Sequence, residues 1–434
     1  MSQGGNKVRI AELGGAVGER VEIRGWLTSL RKSGGIRFLV VRDGSGQVQM
    51  VLREKDVPAD IWEQSAGLAQ ETSIIAYGRC RADARAPSGV EIDLDNVQIV
   101  GGSGEYPIQP KEHGVDFLLD HRHLWLRSQR QAAIMRVRSR FEHAIRNWLD
   151  DQGFVAADTP ILTPSACEGT TTLFETTYFE QKAYLSQSGQ LYNEALAQAL
   201  GKVYCFGPAF RAERSKTRRH LIEFWMVEPE MAFTDLDGCL ETVEQLLSYA
   251  VGEVARRCAD DLRLLGRDPE ELAQVRPPFP RISYDEAIGI LREEGLEIPW
   301  GEDFGAPHEA AISQRFGLPV FVHRYPTAAK AFYMKPDPDR PEVVLSADLL
   351  APEGYGEIVG GGQRIDDYDL LLRRLEENDL PKDDYDWYLD LRRYGSVPHS
   401  GFGLGIERTL AWMLRLDHVR ESIPFPRMLY RLRP

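Results

Sequence analysis

Between residues 202 and 230 the chain has one local structure open to it. Lys202-Val-Tyr-Cys-Phe206 is rich in β-formers. Ile222-Glu-Phe-Trp-Met-Val-Glu-Pro-Glu230 mixes apolar and acidic residues, as a half-buried strand does. The polar stretch from Arg214 to His220 is then the loop of an antiparallel pair. Residues 211–220 hold four arginines, Lys216 and His220. Guanidinium forks match phosphate oxygens in a planar, two-point way. The hairpin therefore reads as a polyanion clamp in which a carboxylate, Glu213, sits among cations. Taken alone, a solvated basic hairpin would look the same, so its meaning rests on the other motifs.

The net charge of −14 argues against a simple nucleic-acid binder, while leaving room for a local basic face. No apolar run approaches the ~18 residues needed to span a bilayer. The opening Met-Ser-Gln-Gly-Gly-Asn-Lys lacks the apolar stretch of a secretory signal. Cys80, Cys167, Cys205, Cys239 and Cys258 form no CxxC pair, which argues against a zinc site or a disulfide framework. A reducing cytoplasm suits them.

At 434 residues the chain is long enough for two or three domains. Residues 19–100 read as five strands with one helix. Val21-Glu-Ile-Arg-Gly-Trp-Leu alternates, and Ile36-Arg-Phe-Leu-Val-Val-Arg follows a Gly-Gly turn. Gln47-Val-Gln-Met-Val-Leu follows Asp43-Gly-Ser-Gly, a hairpin signal. A helix is predicted over 58–70, then strands at Ser73-Ile-Ile-Ala-Tyr-Gly-Arg and Val90-Glu-Ile-Asp-Leu. Three strands, a helix and two strands is the order of an OB-fold barrel, a single-strand nucleic-acid module; an unspecific small β domain is the alternative. Residues 1–100 are expected to form this domain and 101–128 a linker beginning at Gly101-Gly-Ser-Gly. Residues 129–434 form the larger domain, with an α-rich insertion around 265–319. Within it, 130–149 is an amphipathic helix with Ile134, Val137, Phe141, Ile145 and Trp148 on one face.

Two further clusters carry chemistry. Gly354-Tyr-Gly-Glu357-Ile-Val-Gly-Gly-Gly-Gln363-Arg364 suits a floor where backbone and ligand approach closely. Glu357 offers oxygen to a hard cation such as magnesium, and Arg364 offers a fork to a carboxylate or phosphate. His399-Ser-Gly-Phe-Gly-Leu-Gly405-Ile-Glu-Arg408 feeds alternate glycines into a helix with Ile406, Leu410, Met413 and Leu414 facing inward. Arg408 in the first turn opposes the helix dipole; a ligand phosphate would give it a reason to be there. A Rossmann reading fails, because no βαβ unit with an acidic partner follows.

These clusters, in this order, resemble the class II aminoacyl-tRNA synthetases. Residues 130–160 look like motif 1, 210–230 like motif 2 and 403–408 like motif 3. The wording Phe-Arg-Ala-Glu-Arg-Ser-Lys-Thr-Arg-Arg-His-Leu-Ile-Glu-Phe-Trp and Gly-Glu-Ile-Val-Gly-Gly-Gly-Gln-Arg is similar to the asparaginyl branch of the aspartyl/asparaginyl/lysyl subgroup. The resemblance implies an α+β fold: an N-terminal OB-fold barrel, then a catalytic domain built on an antiparallel sheet flanked by helices. It implies ATP and Mg2+ as co-substrate and ion, tRNA(Asn) and asparagine as partners, and a homodimer through the motif 1 helix. At matching positions it implies that Arg211 binds the α-phosphate and the substrate carboxylate. Glu213, Arg219, His220 and Leu221 contact the nucleotide, and Phe224 stacks on adenine. Gly405 and Arg408 close over the triphosphate, and Glu357 carries magnesium. Glu168 takes the α-amino group, Gln190 and Asn193 wall the amino-acid pocket, and Arg364 meets the side chain. Phe38, Gln47 and Glu71 match positions that read the anticodon.

The choice between asparagine and aspartate turns on two departures. Archaeal-type aspartyl enzymes carry Gln-Leu-Tyr-Lys where this chain has Asn193, and Ser where it has Gly360. A neutral residue in place of the lysine disfavours a buried second carboxylate. Both departures favour asparagine; an aspartate ligase charging one or both tRNAs remains the other reading. Two readings from other classes are an amide-forming relative that condenses aspartate with ammonia, and a non-catalytic RNA-binding paralogue. The barrel argues against the first, and the retained Arg211, Glu357 and Arg408 against the second.

Overall fold

The computed structural model describes residues 5–86, 88–167 and 173–434. They fall into two compact units, Met1–Leu118 and Leu119–Pro434.

The first unit contains β1 (Arg20–Ser33), β2 (Ile36–Arg42), β3 (Gln47–Arg53), β4 (Ser73–Ala82) and β5 (Val90–Gly101). β1 pairs antiparallel with β2 and with β4; β2 pairs with β3, and β4 with β5. β3 runs parallel to β5, so the five strands close into a barrel. Alternation buries Val21, Ile23 and Leu27 on β1, Leu39 and Val41 on β2, and Val48 and Met50 on β3. Asp43 makes the predicted turn: its Oδ1 accepts from the Ser45 and Gly46 amides at 2.8 and 3.2 Å around Gly44, whose φ is +88°. The predicted helix over 58–70 is shorter, Ala59–Gln64 with a 3-10 turn at Ser65–Gly67. The buried guanidinium of Arg37 donates to the Trp62 carbonyl and the Ser65 hydroxyl, taking the acceptor that a continuing helix would use.

The second unit is built on an eight-stranded sheet. Its labelled strands are β6 (Lys202–Phe210), β7 (Glu223–Ala232), β8 (Val320–His323), β9 (Ser346–Ala351), β10 (Gly356–Gln363) and β11 (His399–Gly405). The order is Arg281–Ser283, β8, β9, β10, β11, β7, β6 and Val155–Ala156. The pairs at both ends are parallel and the rest antiparallel. β6 and β7 form the predicted hairpin, with Phe210 opposite Glu223. Six helices matter to the site: α1 (Gln129–Asp151), α2 (Gln190–Leu200), α3 (Leu236–Arg257), α4 (Ala306–Gln314), α5 (Lys382–Arg393) and α6 (Ile406–Met413). Ser128 caps α1, its hydroxyl accepting from the Gln131 amide at 3.3 Å.

Two expectations need correction. The apolar face of α1 is not a free surface. Ile134, Val137, Phe141 and Ile145 are fully buried in one cluster with Leu240, Leu247 and Val251 of α3 and with Phe402 and Leu404 of the sheet. The second unit also starts before residue 129. Residues 102–114 are irregular, but short helices follow at Val115–Asp120 and Arg122–Trp125. Arg122 is 1% exposed and donates to the carbonyls of Pro424 and Ile423, each at 2.8 Å, and to Gln131 Oε1 at 2.8 Å. A buried guanidinium with its donors so engaged fixes that stretch to the larger unit.

Candidate active site

β7 organises the site because its residues alternate. Phe224, Met226, Glu228 and Glu230 lie two apart and share one face of the strand. Two adjoining cavities open over that face. The first is lined by Arg211, Glu213, Arg219, His220, Leu221 and Phe224 from the hairpin. Glu357, Gly405 and Arg408 complete it from β10, the end of β11 and α6. Arg211 and Arg408 are thus brought to one cavity from points far apart in the chain. Arg408 Nη1 lies 2.8 Å from Glu357 Oε2, which offsets the unfavourable position of this cation in the first turn of α6. Arg211 sits 5.5 Å from the centroid of the Phe224 ring. Burial, followed by the Arg408 charge, pushes the His220 imidazole below its usual range.

The second cavity is lined by Gln190, Gly360 and Arg364, and also by Ser188, Glu228, Lys330, Tyr333 and Asp348, which the sequence reading missed. Arg211, Met226, Glu357 and Gly403 line both cavities. The shared wall is therefore the place where a group in one cavity meets a group in the other. Gln190 Nε2 donates to Glu194 Oε1 at 3.0 Å, which leaves its own oxygen free of that bond. Glu228 accepts from the Ser188 hydroxyl and from the Gly189 amide, the latter at 2.9 Å. Arg364 is held by Glu230 through Nε and Nη2 at 3.1 and 3.0 Å.

Asn193 does not line either cavity. It is fully buried on α2, and its Nδ2 donates to the backbone carbonyl of Glu228 at 2.8 Å. A buried amide needs a partner, and the β7 backbone supplies one in place of a ligand. Glu168 lies outside the described residues. Phe38, Gln47 and Glu71 belong to the first unit. Phe38 is half-buried under Arg31, 4.5 Å from its ring. Gln47 is the cross-strand partner of Arg42, and Glu71 is paired with Arg42. Arg42 in turn lies 5.0 Å from the ring of Trp26, which is 41% exposed. This face mixes aromatics and cations, as stacking surfaces for unpaired bases do. The Trp26–Arg42 pair was visible in sequence only as alternation.

The donor set fits a hard divalent ion. Glu357 and Asp348 both line the second cavity. Burial raises Glu357, but Arg408, Lys330 and Arg211 together hold it down at about 2. Burial pushes Asp348 up to about 7 despite Lys330 at 2.7 Å, and the Glu357 charge adds to the rise. A cation would relieve that repulsion. Gly360 leaves the gap open: a Cβ there would lie 2.9 Å from Glu357 Oε1 and 3.4 Å from Asp348 Oδ1. Among the described residues, Glu194, Glu230 and His399 also cluster closely enough for a metal. Arg392 at 2.6 Å from Glu194 and Arg364 at 3.0 Å from Glu230 already supply the positive charge there.

An antiparallel sheet carrying a cationic hairpin, a glycine strand and a first-turn arginine around paired cavities defines the fold of a ligase that uses a nucleotide to activate a carboxylate. Residues 114–429 match the family described as tRNA synthetases class II (D, K and N), and the chain belongs to that family. Residues 21–100 match the OB-fold nucleic acid binding domain. The chain is similar to the asparagine–tRNA ligase of Pelotomaculum thermopropionicum, 58% identical over 428 residues that cover 99% of this chain and 100% of the relative. Its fold is similar to asparaginyl-tRNA synthetase from Pyrococcus horikoshii complexed with asparaginyl-adenylate, with a TM-score of 0.95 and 46% identity over 99% of this chain and 100% of the other. The asparaginyl-tRNA synthetase of Entamoeba histolytica in complex with asparaginyl-adenylate gives a TM-score of 0.90 at 33% identity, covering 99% of each chain.

Proposed function

We propose that the chain attaches asparagine to tRNA(Asn) at the expense of ATP, through asparaginyl-adenylate, releasing AMP and pyrophosphate. One observation carries this reading: Arg211 and Glu357 line both cavities. ATP in the first cavity and asparagine in the second bring the amino-acid carboxylate up to the α-phosphorus at that wall. The carboxylate is ionised at neutral pH, so no general base is needed. An oxygen–phosphorus bond forms as the bond to the pyrophosphate oxygen breaks. Arg211 aligns the two reactants and meets the charge that develops on the α-phosphate. Phe224 and Arg408 hold the adenine ring and the triphosphate tail. Gln190 accepts from the substrate ammonium group. A magnesium ion held by Glu357 and Asp348 would neutralise phosphate charge. In the second step the terminal 3′-hydroxyl of the tRNA attacks the adenylate carbonyl and AMP leaves.

The second cavity favours a carboxamide. Lys330 is paired with Asp348, and Arg364 with Glu230. Glu228 presents a carboxylate that can accept from an amide NH2 but repels a second substrate carboxylate. Asparagine-dependent ATP–pyrophosphate exchange is expected to exceed the aspartate-dependent rate by at least about a hundredfold, well inside the roughly 10⁴-fold that sites with unpaired polar groups reach. Exchange with aspartate and none with asparagine would replace this reading by an aspartate ligase.

The barrel face around Phe38, Gln47 and Glu71 would read the anticodon. A homodimer would form through the motif 1 region, where α1 is flanked by the edge strand Val155–Ala156 and Val155, Ile161 and Leu162 are exposed. A monomer mass in sedimentation at micromolar concentration would remove the dimer. A cytoplasmic location suits five buried cysteines that form no disulfide with one another. No helix among the described residues is long and apolar enough to cross a membrane.

A further inference from the structure

The α-rich segment sends one side chain to two residues that line the nucleotide cavity, Arg219 and Glu357. Glu309 lies on α4, and its Oε2 accepts from the guanidinium of Arg219. The same oxygen accepts from the backbone N–H of Glu357 at 2.7 Å. The backbone is bare where they meet. Gly356 has φ +72°, and a methyl group there would overlap both the Arg219 guanidinium and the Glu309 carboxylate. Arg219 is held from this one side only: its Nε and Nη1 are buried and have no partner. Its carbonyl accepts from Arg408 Nε at 3.4 Å. One carboxylate from the segment thus ties the hairpin loop to the backbone of Glu357, whose side chain faces Arg408.

We propose that Glu309 is a positioning residue for the triphosphate. It anchors one amino group of the Arg219 fork, a residue that lines the nucleotide cavity, and leaves Nε and Nη1 available to a phosphate. Two orphaned buried donors are costly in a fold, and a bound phosphate tail satisfies them. The α-rich segment thereby shapes the ATP site. This inference rests on the ATP reading above and deepens it.

The test is equilibrium binding by calorimetry of adenosine 5′-(α,β-methylene)triphosphate and of AMP to the full chain. The proteins are the parent, Glu309→Gln, Arg219→Gln and the double variant. Glu309→Gln is expected to weaken the triphosphate analogue about tenfold, the worth of one charge-assisted contact, and to leave AMP within twofold. The double variant is expected to bind no worse than Arg219→Gln, because Glu309 acts through Arg219. A purely structural role would weaken both nucleotides alike. Equal losses for both, no loss for either, or losses that multiply in the double variant would overturn the inference. If the parent binds neither nucleotide, the ATP reading itself fails; if the parent binds and Glu309→Gln matches it, only the positioning role fails. Glu309→Asp, which keeps the charge, is expected to recover part of the affinity.

Discussion

Arg211→Ala is expected to lower asparagine-dependent ATP–pyrophosphate exchange by roughly a hundred- to a thousandfold, the loss seen when one fixed donor to a charged transition state is removed. Arg211 lines both cavities, so the substitution removes alignment and charge neutralisation together. Its effect should fall on kcat as well as on KM, because the charge it meets grows as the phosphorus–oxygen bonds exchange. Arg211→Lys keeps the charge and loses the planar fork, and is expected to recover only part of the rate. The residue is half-exposed, so the urea midpoint should move little. Exchange within a few-fold of the parent would mean that the reacting atoms do not meet at this wall.

The second large effect is on the fold. Glu194 and Arg392 are both fully buried and paired at 2.6 Å. Glu194 also accepts from Tyr388 at 2.7 Å, from Gln190 at 3.0 Å, and lies 2.9 Å from His399 Nε2. Arg392→Leu strands a buried carboxylate and should cost about 3–5 kcal/mol in urea unfolding at pH 7. The pH dependence has a definite sign. Burial raises Glu194, but Arg392 and His399 outweigh it and hold the carboxyl well below the usual range. A depressed carboxyl contributes stability that is present above its unfolded value near 4.5 and lost as pH falls below it. The gap between parent and variant should therefore narrow as pH drops from 7 to below about 4, where the variant's carboxyl is neutral. A gap that widens on acidification, or no gap at pH 7, would contradict this. Because Glu194 orients Gln190, the variant should also raise KM for asparagine more than KM for ATP.

What could be read from the chain was local. The Asp43 turn, the hairpin around Arg211 and the inward face of α6 each follow from spacing within about a dozen residues. So does the face of β7: once Phe224 is placed, period two leads to Met226 and Glu228. What escaped depends on elements distant in the chain. Asp348 reaches the site because β9 pairs with β10 and sets it opposite Gly360, and no local pattern fixes that register. Glu309 arrives on a helix whose docking has no signature in its own residues. Asn193 was misplaced for a different reason. A resemblance marks a position on α2 but not the direction in which its amide finds an acceptor. The apolar stripe of α1 was real, yet amphipathicity says only that a face is covered, not whether by α3 or by a second copy.

The most direct measurement is a crystal structure of the chain with asparagine and a non-hydrolysable ATP analogue. Arg211 should lie within hydrogen-bond distance of both the α-phosphate and the asparagine carboxylate, with Arg408 on the distal phosphates and Phe224 against the adenine. A triphosphate bound elsewhere, or one that Arg211 and Arg408 do not reach together, would contradict the convergence of the hairpin and the last helix on a single nucleotide.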